Sequence, residues 1–136
     1  GLKSATKPAP PSPIPSVKRL SGFERDMKRL LKSYRTLEED LSTFESATLR
    51  LLASGEHSSE TLGLFPISGK EVGGKGFYIA KKFACMSLKG TGANSGIRVV
   101  LQWLPNSSEV RLVELYHKNE KEVEDLERIK TILKGQ

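Results

Sequence analysis

Several residue types are scarce in this 136-residue chain, and each scarcity removes a class of function. There is one cysteine, Cys85, so no internal disulfide can form. Only two histidines, His57 and His117, accompany it, far apart in sequence, and no zinc-ligand spacing can be assembled from the three. No metal and no small-molecule cofactor are therefore expected. No apolar run approaches the roughly 20 residues that a membrane-spanning helix needs. The first residues also lack the apolar core of a signal peptide, so a cytoplasmic protein with no membrane partner is expected. Acids are absent from residues 1–20, which hold four cations and five of the seven prolines. That stretch reads as a flexible, polyproline-like tail, with the folded domain expected over 21–136.

What is present is basic. The net charge is +6 and the sequence pI about 9.5, which points to an anionic partner. The excess is local: residues 77–118 carry six cations against two acids, while 21–55 balance six against six. The positive charge thus falls on the tail and on the segment that reads as sheet.

Hydrophobic spacing supplies the elements. Phe23, Met27, Leu30, Leu31 and Tyr34 form one helical stripe, and Leu37, Leu41, Phe44, Thr48 and Leu51 a second, with Gly55 as its stop. Ser21 with Glu24, Thr36 with Glu39 and Asn119 with Glu122 have the capping-box spacing. They predict two helices in a hairpin and a third over about 120–134, facing inward through Val123, Leu126, Ile129 and Ile132. Residues 56–76 read as a loop, with a short strand possible near Leu62–Ile67. Its GKEVGGKG lacks the spacing of a phosphate loop. Phe77–Leu88 alternates like a strand, with Lys82 on the polar side. IRVVLQWL and EVRLVELYH, separated by PNSS, read as a β-hairpin. In its first arm Ile97, Val99, Leu101 and Trp103 face the helices and Arg98 faces away. In its last arm both alternating sets are mixed, so either His117 or Lys118 joins Arg98 and Lys82 at one edge of the sheet. The fold class is α+β: an N-terminal helical hairpin on a small curved antiparallel sheet of three to four strands, closed by a C-terminal helix.

The order of these elements, with SLKGTGANSGIRVVLQW and VELYHKNEKEVEDLERI, resembles the RelE/ParE superfamily of bacterial toxins, in particular its RelE-like mRNA endonuclease branch. The similarity spans roughly residues 22–134 and is strongest over 81–129. It implies the toxin of a type II toxin–antitoxin pair that cleaves mRNA on the ribosome without a metal. The ribose 2′-OH would attack the adjacent phosphate, leaving a 2′,3′-cyclic phosphate. The implied partners are an antitoxin protein, mRNA and the ribosome. Carried over residue by residue, the resemblance implies Arg98 as a phosphate clamp and Lys82 and Lys118 as catalytic cations. His117, the side-chain type that titrates near neutrality, is the implied proton-transfer group. Lys81, Lys89, Tyr116 and Glu114 are implied in RNA contact, Glu114 alternatively orienting Arg98 or acting as a base. The tyrosine that RelE carries in the C-terminal helix region is matched here by Glu124. A gyrase-directed relative and a non-catalytic RNA-binding or protein-interaction module are the alternatives. GKGFYIAKKFA also resembles the segment that opens a helix in double-stranded RNA-binding domains.

Overall fold

The computed structural model describes residues 14–136. In chain order the elements are β1 (Ser16–Arg19), α1 (Ser21–Leu30), α2 (Leu37–Phe44), a π-helical turn (Glu45–Leu49), α3 (Arg50–Ser54), β2 (Leu64–Pro66), β3 (Phe77–Ala80), β4 (Ile97–Leu104), β5 (Glu109–His117) and α4 (Leu126–Lys134). The strands form one five-stranded sheet in the order β1-β5-β4-β3-β2. All neighbours are antiparallel except β1, which runs parallel to β5.

The fifth strand corrects the expected boundary at residue 20. Ser16–Arg19 sits in register with Glu109–Leu112, and Arg19 holds Glu38 on α2 through two bonds of 2.9 Å. Extended, proline-flanked residues suit an edge strand as well as a tail. The remainder of the expected tail, 1–13, lies outside the described residues.

Both sheet faces are covered. On one, Phe23, Met27, Leu37, Leu41 and Phe44 of the helical hairpin meet Ile97, Val99, Leu101, Val110, Leu112 and Leu115. On the other, Ile129 of α4 meets Phe77, Ile79, Val100, Val113 and Tyr116. The β4 faces are as its alternation predicts.

Three local devices depart from simple periodicity. The π turn inserts one residue into the second helical stripe. Leu49 and Leu52 are therefore buried where Thr48 and Leu51 were expected, and Leu51 is exposed. Gly55 does end this helix, in the left-handed conformation. In β5, Val100 pairs with Glu114 but Leu101 with Leu112, so Val113 is a bulge residue. The bulge reverses the alternation midway, which is why both sets of β5 residues look mixed in sequence. Two backbone groups beside it are taken up by side chains: the Leu115 N–H donates to Asp26 Oδ2 at 3.0 Å, and Val113 O accepts from Arg128 at 3.0 Å. Asp26 and Arg128 also pair at 2.8 Å, tying α1 to α4 across that point.

The capping boxes do not form. Leu20 precedes α1 as its cap, and the Thr36 hydroxyl binds Asp40 and Ser87 instead of the helix start. The last helix begins at Leu126, where the Asp125 carboxylate accepts the Arg128 N–H. Residues 119–125 are consequently an irregular strap, with Val123 and Leu126 exposed and Ile129 buried. β3 stops at Ala80, well short of Leu88, and its strand geometry removes the helix that a double-stranded RNA-binding domain requires there.

Candidate functional site

The register at the Arg98 end of the sheet decides which side chains meet. Ile79 pairs with Val100 and so shares its face, the α4 side. Carried two residues on past β3, that parity brings Lys81 beside Arg98, and an Arg98 N–H donates to Lys81 O at 3.2 Å. Arg98 in turn faces Tyr116 in β5, and Lys118 follows two residues beyond. Lys81, Arg98 and Lys118 line one cleft of about 280 Å³, together with Phe65–Ser68, Ile79, Glu122, Val123 and Glu124. Its walls are mainly polar, whereas the hollow of about 380 Å³ between Gly74–Tyr78 and Trp103–Pro105, at the other end of β4, is lined mainly by carbon.

Three cations against two acids leave the cleft positive. None of Lys81, Arg98 and Lys118 makes an ion pair among the described residues, although Glu122 and Glu124 share the cleft with them. Lys81 Nζ lies 5.4 Å from the centre of the Phe65 ring, a cation–π contact that sets its stem against β2. Guanidinium and ammonium groups lining one cleft without acidic partners are suited to a phosphate, which accepts from both.

The remaining sequence-derived residues lie elsewhere. Lys82 does not share the cleft: its stem packs on Gly63, where an added Cβ would lie 3.0 Å from Lys82 Cβ and Cδ. The cause is the early end of β3, since the alternation was extended through residues that are not strand. Lys89 is exposed in the turn after Leu88. Of the alternatives His117 and Lys118, it is Lys118 that lines the cleft. His117 pairs with Ile97 and so faces the helical hairpin. There it is buried and stacks on Tyr34, with ring centres 5.8 Å apart and planes 12° from parallel. Its Nε2 lies 3.1 Å from Ser95 O and its Nδ1 accepts the Asn119 N–H at 3.0 Å, so both nitrogens are occupied.

Tyr116 is buried beneath the cleft, and its hydroxyl has no partner. Burial, with the charges of Glu114 and Glu124 adding and that of Arg98 opposing, pushes the phenol up to about 12. Lys121 Nζ lies 5.0 Å from the centre of its ring. Glu114 is buried too, and it neither orients Arg98 nor opens to the cleft. One oxygen binds Lys121 and the other accepts the Asp125 N–H at 2.8 Å. Glu114 thereby holds both ends of the segment that carries Glu122–Glu124 over the sheet. Sequence reading placed that segment inside a helix and matched Glu124 to the C-terminal tyrosine of RelE.

Among the described residues there is no group of three or more His, Cys, Asp or Glu placed to hold a metal, and no helix long and apolar enough to cross a membrane. Fold and cleft together define an α+β domain with a cationic cleft at one end of its sheet. No family model matches the chain, and no curated protein matches it. Among solved structures, one similar chain comes from the toxin–antitoxin complex RelBE2 of Mycobacterium tuberculosis. It is 14% identical, with 77% of this chain and 99% of that chain covered, at a TM-score of 0.49.

Proposed function

We propose that the chain is the toxin of a toxin–antitoxin pair and acts as a metal-independent RNA endonuclease. The observation that carries this reading is the convergence of Lys81, Arg98 and Lys118, all without acidic partners, on one polar cleft. The sequence resemblance set out above supplies the reaction class and the messenger as substrate. Arg98 would clamp the scissile phosphate through two N–H groups, and Lys81 and Lys118 would neutralise the charge that builds as the 2′-OH attacks. Positioning and electrostatic stabilisation carry most of the catalysis in such phosphoryl transfer. An antitoxin partner and a ribosome-bound messenger belong to the same proposal.

The test is induction of this chain alone in bacteria, with primer extension on a reporter mRNA, beside Arg98→Ala at equal expression. Growth arrest with discrete cuts is expected, and Arg98→Ala should lower cutting about 10²- to 10³-fold, the loss typical of one preorganised donor. Arrest without cuts would replace this reading with a non-nucleolytic target. Cuts of equal strength in Arg98→Ala would remove the cleft from the chemistry.

A further inference from the structure

Transfer of a ribose proton needs an acceptor, and the candidates named from sequence are not at the cleft. Both His117 nitrogens are occupied on the opposite face, the Tyr116 phenol is buried and pushed up to about 12, and both Glu114 oxygens are bound. Two carboxylates remain, Glu122 and Glu124, on the strap that closes one side of the cleft. Glu122 is exposed; Glu124 is half-buried. Glu124 accepts no hydrogen bond and makes no ion pair among the described residues. Glu124 lines the same cleft as Arg98, whose strand partner is Tyr116. The strap is fixed on both sides of Glu124. Lys121 is bound to Glu114, the Asp125 N–H to the same carboxylate, and Glu120 accepts the His117 N–H at 2.9 Å. A free carboxylate on a fixed backbone, in a cleft shared with three cations, is suited to act as a base.

We infer that Glu124 is the proton acceptor for the RNA 2′-hydroxyl, an assignment that rests on the RNA-cleavage reading of this cleft. The 2′-oxygen gives its proton to the Glu124 carboxylate as it forms a bond to phosphorus, and the bond from phosphorus to the 5′-oxygen breaks. The departing 5′-oxygen takes a proton from solvent, and Glu124 returns its proton to solvent before the next turnover. No electron changes hands and no co-reactant is needed. The charged groups that share the cleft with Glu124 are Lys81 beyond β3, Arg98 on β4, Lys118 after β5 and Glu122 on its own strap.

The test is single-turnover cleavage of a short messenger bound to purified ribosomes. It uses the full chain and its Glu124→Gln, Glu122→Gln, Glu127→Gln and Arg98→Ala variants, with messenger binding measured alongside. Glu124→Gln should cut about 10²- to 10⁴-fold more slowly, the range for loss of a general base, while binding at least as tightly as wild type. Glu127→Gln, on the exposed face of α4, should cut normally. Glu124→Gln within threefold of wild type, while Arg98→Ala is inactive, would overturn the assignment and leave the cleavage reading standing. So would a larger loss in Glu122→Gln than in Glu124→Gln. A wild-type chain that binds but never cuts would overturn both.

Discussion

Gly96 shows how one residue sets the entry to the site. It takes φ +87°, a conformation open to glycine and strained for other residues, and its carbonyl accepts the Lys118 N–H at 2.8 Å. A Cβ there would lie 2.8 Å from His117 Nε2 and 3.2 Å from Lys118 Cγ. Gly96→Ala should therefore cost about 1–2 kcal/mol for the left-handed backbone, and displacement of His117 from Ser95 should add to it. Urea unfolding would measure this, and a midpoint equal to wild type would contradict the packing described. The same residue explains what was and was not legible near the site. Arg98 was readable because β4 is a clean alternating strand. The orientation of His117 was not, because it depends on pairing with Ile97 after a bulge that leaves no mark in the sequence other than a mixed pattern.

At the scale of elements, the helical hairpin, the β4–β5 hairpin and a short β2 follow from spacing and turn residues. The misses share a cause: a tertiary partner outcompetes a local signal. The Asn119–Glu122 capping spacing yields to Glu114, which draws Lys121 and the Asp125 N–H to itself and moves the helix start to Leu126. β1 was hidden because a parallel edge strand needs a distant partner, here β5. Its anchoring by Arg19 and Glu38 has a pH signature. Hydrogen bonding to Arg19 holds the Glu38 carboxyl below the usual carboxylate range. A depressed carboxylate stabilises the fold above its unfolded pKa, near 4.3 for glutamate, and loses that contribution as pH falls through the folded value. Glu38 is 55% exposed, so the effect should stay below about 1 kcal/mol. Protection factors of the Val17–Arg19 amides, with the chemical rate divided out, should fall on acidification below about pH 5. Glu38→Gln should remove most of that fall, and an identical acid response in the variant would exclude the pair as its source.

Over the whole molecule, charge and burial divide the work. The sheet is covered on both faces, and the cationic cleft lies at one end of it, where β3 stops, β4 begins and β5 gives way to the strap. Composition foretold a basic sheet segment but not which of its cations converge. That choice was made by four residues of strand in β3, which turn Lys81 into the cleft and Lys82 away from it. Neighbouring lysines with opposite placement give the most direct test of the account. We would measure binding of the ribosome-bound messenger across a salt series for Lys81→Ala, Lys82→Ala, Arg98→Ala and Lys118→Ala. The cleft predicts that Lys81→Ala, Arg98→Ala and Lys118→Ala each weaken binding several-fold and reduce the salt slope by about one, as loss of a phosphate contact does. Lys82→Ala should leave both nearly unchanged. Equal losses for Lys82→Ala and Lys81→Ala, or no loss in any of the four, would contradict the site.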